Sequence, residues 1–251
     1  MPENPSEVAE EKLTGYRKLQ PEPIRDKIGV LRARVHERFP ESGLSQVCNE
    51  LFKIAQETRS ICEDISKPHK GLRVGVSILI LAMLTVLVEG IIAVPIPNQR
   101  VSFTELVSVV EAGLNTLALI GAAIFFLVTM ENRIKRTKTL KAINSLRVAA
   151  HVIDMHQLSK DPSHNLYEGV HTKASPKRTL SPFELTRYLD YCSEMLSLVG
   201  KVAALHAQNF SDSVVLSSVN EVEALTTGLC RKIWQKIMVT QLSNQDEELT
   251  E

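Results

Sequence analysis

Two long stretches of this 251-residue chain are almost entirely apolar. They cover residues 72–94 and 106–130, and a short polar turn at 95–102 separates them. An α-helix needs about 20 mostly apolar residues to cross a hydrocarbon core about 30 Å thick. Both stretches approach or exceed that length. We therefore predict a two-span transmembrane helical hairpin over residues 71–131, with spans at 72–94 and 106–130.

Before the hairpin, apolar residues recur every three or four positions in two successive segments, which is the pattern of amphipathic helices. The first segment ends at Pro40 and carries Ile24, Ile28, Leu31, Val35 and Phe39. The second begins after Ser42, a predicted N-cap. Its apolar positions form an unbroken heptad seam of Leu44, Cys48, Leu51, Ala55, Thr58, Cys62 and Ile65. We predict that residues 22–70 form cytoplasmic amphipathic helices.

The seam over residues 44–65 must pack against another apolar surface, and a second column of Val47, Ile54 and Ile61 widens it. Two partners fit this pattern. The seam either packs on the C-terminal helices of its own chain, which we favour, or joins two subunits or a protein partner as a coiled coil.

The chain after the hairpin is predicted to form a cytoplasmic helical domain over residues 132–243. Leu140, Ile143 and Leu146 begin a helical face that can continue directly from the second span. Ser181, Pro182 and Glu184 form a helix-start signature, in which serine caps and glutamate reaches back to the cap. Residues 1–21 are predicted to be a disordered tail and 244–251 an acidic tail. The fold class is therefore an all-α integral membrane protein with a helical bundle built from both flanks.

Positive charge is concentrated beside the two outer ends of the hairpin. Lys67, Lys70 and Arg73 precede the first span, and a denser group follows the second: Arg133, Lys135, Arg136, Lys138 and Lys141. The turn between the spans carries only Arg100. This asymmetry predicts a multi-pass protein of a cell or inner membrane with both termini in the cytoplasm. The basic group is expected to act as a lipid-facing anchor.

The overall charge and the cysteines narrow the function classes. The chain has 29 basic and 29 acidic residues, a balance that argues against a nucleic-acid partner. The four scattered cysteines, Cys48, Cys62, Cys192 and Cys230, form no CxxC pair, so we expect reduced, buried thiols. The first twenty residues contain no apolar core, so we expect no cleavable signal peptide.

The polar candidates for a function within the predicted spans are Glu89, Glu111 and Asn115. One interpretation is a pair of carboxylates that collect cations at the mouth of a channel. The other, which we favour, is that both carboxylates reach the interface or form a hydrogen bond across the hairpin through Asn115.

Arg147, His151 and Asp154 lie one helical turn apart on a single stripe. A catalytic interpretation makes His151 a base that Asp154 orients, with Arg147 holding an anion. A polar helix face is the commoner explanation, and no nucleophile or phosphate loop accompanies the stripe. We expect no metal and no cofactor.

The sequence thus predicts a non-enzymatic, membrane-anchored scaffold or adaptor with cytoplasmic interaction helices. Its partners are the lipid bilayer and either a second copy or another protein. The alternative is a subunit of an oligomeric cation channel or permease. The third possibility is a membrane-tethered enzyme that uses the stripe over residues 147–154.

Overall fold

The computed structural model describes residues 18–68, 70–93, 103–160, 173 and 180–250. Within these ranges the chain contains helices and no strands, which confirms the all-α prediction. The helices are α1 (Pro21–Arg38), α2 (Gly43–Ser66), α3 (Lys70–Ala93), α4 (Phe103–Leu158), α5 (Pro182–Asn209) and α6 (Ser213–Thr250). Residues 1–17 of the predicted tail and the turn at 95–102 lie outside the described residues.

The chain divides into two compact units. The first, which we call the bundle, contains α1, α2, the part of α4 from Lys138 onward, α5 and α6. The second, the apolar unit, covers residues 67–137 and contains α3 and the first part of α4.

Consecutive helices of the bundle run in opposite directions. In α1 and α2, Glu22 meets Arg59 at 3.3 Å near one end, and His36 meets Ser45 at 3.4 Å near the other. Residues 210–212 alone separate α5 from α6, and the Cys230 thiol of α6 lies 3.7 Å from the Ser193 carbonyl of α5, so these two helices also form an antiparallel hairpin. This up-and-down order is that of an antiparallel helical bundle.

The seam of α2 is buried within the bundle at every one of its seven positions, including Thr58. It lies partly against α5, where the Cys62 thiol is 4.0 Å from the Leu205 carbonyl oxygen. The seam therefore packs on helices of its own chain. Burial of a leucine such as Leu51, which is 0 % exposed, stabilises the bundle by about 1.5–3 kcal/mol.

The predicted helix starts are present. Ser181 accepts a hydrogen bond from the Glu184 N–H at 3.3 Å, and the Glu184 carboxylate accepts from the Ser181 N–H at 2.9 Å. This reciprocal capping box lowers the pKa of Glu184, because both the N–H and the hydroxyl of Ser181 donate to its carboxylate. The Ser42 hydroxyl likewise accepts from the Ser45 N–H at 3.2 Å.

Some helix ends differ from the predicted ones. The first helix begins at Pro21. Proline has no backbone N–H, and in the first turn of a helix that N–H would have no intrahelical acceptor. The last helix continues through the acidic tail to Thr250. As expected, the helix after the predicted second span is continuous with it, since α4 runs unbroken from Phe103 to Leu158.

The apolar unit exposes its large apolar side chains. Leu117 and Leu119 on α4 are 63 % and 73 % exposed, and Ile78 and Leu81 on α3 are 63 % and 66 % exposed. One described helix, α4 in its segment Val110–Leu158, is long and apolar enough to cross a bilayer, whereas the comparable stretch of α3 is the shorter Arg73–Thr85. A single such helix is weak evidence of membrane association, and the two-span topology is not confirmed.

Candidate interaction groove

An open groove lies between α2 and α4 on the surface of the bundle. Its volume is about 870 Å³, and its apolar lining consists of Val47, Ile54, Val148, Ala149 and Val152. Val47 and Ile54 belong to the second apolar column of α2, which the sequence pattern had placed beside the seam. The seam packs inward and this second column faces α4, so the column borders the groove.

The two helices that form the groove run antiparallel. At one end Gly43 lies beside the ring of His156, and towards the other Asp64 accepts a hydrogen bond from Lys138 at 2.7 Å. The α2 residues that line the groove extend from Gly43 to Glu57. At 1.5 Å per residue this is a length of about 21 Å, or nearly four helical turns.

The close approach of Gly43 and His156 ends the groove. A Cβ atom added at position 43 would lie 2.2 Å from His156 Cε1 and 2.9 Å from its Nδ1. No side chain fits at that distance unless the histidine ring moves. Glycine at this position thus allows the start of α2 to contact the end of α4.

The charges at the edge of the groove are unequal on its two sides. On α2, Glu50 pairs with Lys53 at 2.7 Å, and Glu57 is one further turn along. On α4 the polar lining residues near Glu57 are the uncharged Asn144 and Ser145. The α2 edge therefore carries a net negative charge, while the facing part of the α4 edge carries none.

The stripe of Arg147, His151 and Asp154 lies on α4 within the bundle, and the structure does not bring its members together as a triad. Arg147 pairs with Glu221 of α6, and Asp154 accepts a hydrogen bond from Gln157 and lies 3.6 Å from Lys232. His151 is exposed. The two outer members therefore contact α6 instead of the histidine between them.

No pattern in the sequence indicates the cap that the structure shows at the C-terminal end of α4. The ammonium of Lys236 on α6 donates to the Gln157 carbonyl at 3.0 Å, to the Gln157 side chain at 2.7 Å and to the Lys160 carbonyl at 3.4 Å. A cation at this position satisfies carbonyls that lack helical partners and complements the helix dipole. The contact joins residues 79 positions apart, which no local pattern reveals.

A second feature without a sequence signal is the buried His206 of α5, whose side chain is 0 % exposed. Its Nε2 lies 3.5 Å from the Thr58 hydroxyl, which itself donates to the Ile54 carbonyl. The other ring nitrogen, Nδ1, has no hydrogen-bond partner. Burial lowers the pKa of His206 to about 4, so the imidazole is neutral at pH 7.

The cysteines are free, as predicted, and three are buried: Cys48, Cys62 and Cys192. Burial raises the pKa of Cys48 and Cys62 to about 11 and that of Cys192 to about 12. Cys230 is half-buried. Because the thiolate is the reactive form, the three buried thiols are poor nucleophiles at pH 7.

The predicted basic anchor is partly engaged within the chain. Lys135 is only 9 % exposed and pairs with Glu131 at 3.0 Å, while Lys138 pairs with Asp64. The guanidinium of Arg133 lies 5.3 Å above the ring of Phe126, and Arg136 is half-buried. Lys135 thus faces protein, whereas Arg133 and Lys138 remain on the surface.

The polar positions of the predicted spans are exposed within the apolar unit. Glu111 and Asn115 lie on one face of α4 and line an open depression of about 430 Å³. Glu89 is exposed on α3. From Leu117 to Val128, α4 carries no polar side chain. A hydrated path would need polar groups along its whole length, so no observation on this helix favours the channel alternative.

Neither a metal cluster nor a known relative indicates a function for this chain. Within the described ranges, no group of three His, Cys, Asp or Glu side chains could hold a metal ion. The chain matches no known family model, no curated protein and no solved structure.

Proposed function

We propose that this protein is a membrane-anchored adaptor without catalytic activity. In this proposal a two-span hairpin holds the chain in the bilayer with both termini in the cytoplasm. The bundle then binds an amphipathic helix of another protein in the groove between α2 and α4. The single observation that carries the proposal is this groove, an open surface between two antiparallel helices of the bundle that combines apolar and polar side chains.

The shape of the groove favours a helix as its occupant. Two antiparallel helices form its walls over about 21 Å, which matches a helix of about 14 residues. Its apolar residues are of small or moderate size and recur at helical spacing, as with Val148 and Val152. A third helix can therefore pack its own ridge of side chains between them, as in helix-in-groove recognition.

The charges at the edge constrain the sequence of that helix. Glu57 forms no ion pair with another described residue, and Lys53 is already paired with Glu50. A partner helix with an apolar face and a lysine or arginine on its α2 side would therefore fit. An exposed pair of this kind contributes at most about 1 kcal/mol, so it would set orientation more than affinity.

Membrane anchoring is supported by the exposed apolar surface of α4 and by the distribution of charge in the sequence. Large apolar patches on a water-exposed helix are unfavourable, whereas lipid covers them at no cost. The basic residues beside both outer ends of the hairpin support cytoplasmic termini.

Photo-cross-linking in membranes tests the proposal. A benzophenone amino acid is placed at Val148, which is 53 % exposed in the groove, or at Val30, which is 58 % exposed on α1 outside it. We expect an adduct from position 148 alone, and mass spectrometry should map it to an amphipathic helix with a basic flank. An adduct with a second copy of this chain, or no adduct specific to position 148, would contradict the proposal.

Binding of a synthetic peptide with the mapped sequence supplies the quantitative control. Val148→Asp places a charge in the apolar groove and should weaken binding at least about tenfold, because a buried unpaired charge costs more than 1.4 kcal/mol. Val30→Asp makes the same chemical change outside the groove and should leave the affinity unchanged.

A further inference from the structure

Glu111 and Asn115 form a polar pair in a depression whose other lining residues are apolar. They stand one helical turn apart on α4, and Val107, Val110 and Leu114 line the same open depression. All five residues belong to α4, and Leu114 is 66 % exposed. No hydrogen bond joins the side chain of Glu111 or of Asn115 to another described residue.

The same face of α4 continues with small residues. Glu111, Asn115, Ala118 and Ala122 follow one another at spacings of four, three and four, with Leu114 and Gly121 beside them. We call these six residues the Glu111 stripe, and every one of them is exposed. A Cβ atom built at Gly121 meets nothing within 4 Å, so packing within the described chain does not require glycine there.

The other side of α4 is already occupied. Ile120, Ile124 and Leu127 are half-buried, and at 100° per residue they lie opposite the Glu111 stripe. On α3 the half-buried residues Val76, Ile80 and Met83 form a matching row. Arg73 of α3 also pairs with Glu131 of α4 at 2.8 Å. The first helix of the apolar unit therefore packs on the side of α4 away from the stripe.

We propose that the Glu111 stripe is the interface through which a second copy of this chain packs against α4 within the bilayer. This inference rests on the proposed membrane anchor. In hydrocarbon, a carboxyl and a carboxamide without partners are costly, and hydrogen bonds between helices remove that cost. Small residues such as Ala118, Gly121 and Ala122 allow two helix backbones to approach closely.

A second copy is the occupant that fits, because the polar pair is complementary to itself. The Asn115 carboxamide is a donor and the Glu111 carboxyl is an acceptor. In a two-fold pair, Asn115 of each copy donates to Glu111 of the other, so one contact is made twice. All copies share one orientation in the membrane, so each residue has the same depth in every copy. Glu111 and Asn115 are about 6 Å apart along the helix axis, an offset that two such side chains can span.

A matched pair of glycine substitutions tests this interface. The full chain, with a donor or an acceptor dye at its N-terminus, is reconstituted in phosphatidylcholine vesicles, and energy transfer is followed as lipid dilutes the protein. Gly121→Leu should abolish concentration-dependent transfer, because the leucine blocks close approach. Gly113→Leu should retain it, since Gly113 lies on the side of α4 opposite the stripe and is itself exposed, with nothing within 4 Å of an added Cβ.

The polar pair is tested separately. Glu111→Leu together with Asn115→Leu should weaken association about three- to thirty-fold, the range for hydrogen bonds between membrane helices. Both changes make the helix more apolar, so insertion is retained. Equal association of all variants, or none in the wild type, would overturn the interface.

Resistance to alkaline extraction is measured on the same vesicles to separate the two proposals. A wild-type chain that resists extraction but shows no transfer contradicts the interface and leaves the anchor standing. A chain that is extracted contradicts the anchor and, with it, this interface.

Discussion

The bundle and the apolar unit use the same helical period but place their apolar residues in opposite surroundings. In the bundle, Leu51 and Leu146 are 0 % exposed. In the apolar unit, Leu117 and Leu119 are 63 % and 73 % exposed, although they lie on the same helix as Leu146. Protein therefore covers apolar side chains of α4 in the bundle, whereas apolar side chains of the same helix are exposed in the apolar unit.

The difference shows that helix formation and helix packing are separate problems. Both units satisfy their backbone hydrogen bonds within helices, so neither needs a partner for that purpose. The bundle also covers most of its large apolar side chains with its own helices. The apolar unit lacks such a cover, so its stability depends on lipid or on another protein surface.

Removal of one leucine from each unit gives the largest expected contrast. Leu51→Ala should lower the free energy of unfolding of the bundle by about 2–5 kcal/mol, because it leaves a cavity in a packed core. Leu117→Ala should change it by less than about 0.5 kcal/mol. Near-ultraviolet circular dichroism in detergent reports the bundle through the buried Tyr188 and Tyr191. Equal losses would show that the two surroundings do not differ.

Acidification should destabilise the bundle through His206. Its folded pKa of about 4 lies below the ordinary histidine value of 6.5, so the unfolded chain takes up the proton first as the pH falls. The stabilisation is complete above pH 6.5 and is lost between pH 6.5 and 4, a total of roughly 3 kcal/mol. Urea unfolding measured across this window should show the loss.

Two variants separate the contribution of His206 to the pH dependence of stability from that of the other titrating groups. His206→Met removes the buried titrating group and should flatten the pH dependence between 6.5 and 4. His151→Gln removes an exposed histidine and should leave the wild-type profile. If His206→Met retained the full slope, burial of this imidazole would not be its cause.

The same substitution at two glycines should have unequal effects. Gly43→Ala forces the ring of His156 to move and should cost the bundle about 1–3 kcal/mol. Gly121→Ala in the apolar unit meets no described atom and should leave unfolding of the bundle unchanged. Thermal unfolding of both variants gives the comparison. In the Gly43→Ala background, His156→Ala should restore part of the loss, and failure to do so would refute the contact.

The smallest effect is expected at the start of α5. Ser181→Ala removes the side chain that caps Glu184 N–H and should cost about 0.5–2 kcal/mol. Ser181→Thr keeps the hydroxyl and should retain most of the stability. Urea unfolding distinguishes them, and an equal loss in both variants would mean that the hydroxyl does not stabilise the helix.

Features that depend on residues close together in the sequence were predictable from the sequence. Ser181 and Glu184 are three residues apart, and the seam of α2 repeats within seven, so local patterns reveal both. The contact of Thr58 with His206 joins residues 148 positions apart, and that of Lys236 with Gln157 joins residues 79 apart. Such contacts depend on which helices pack against each other, and the periodicity of apolar residues does not specify the pairing of helices.

Only one wall of the groove was predictable from the sequence. The column of Val47 and Ile54 was visible in the sequence because it follows the helical period beside the seam. Its other wall, with Val148 and Val152, was not, because nothing local shows that this part of α4 lies beside α2. The stripe of Arg147, His151 and Asp154 was visible, but its contacts with Glu221 and Lys232 were not.

The most direct test of the difference between the units compares two positions on α4. Spin labels are attached at Leu119→Cys and at Val148→Cys of the full chain in phosphatidylcholine vesicles, and the wild type supplies the background of the native cysteines. Power saturation then measures collision with oxygen, which concentrates in lipid, and with a water-soluble nickel complex. Position 119 should favour oxygen and position 148 the nickel complex. Preference for the nickel complex at both positions would contradict a lipid-covered apolar unit.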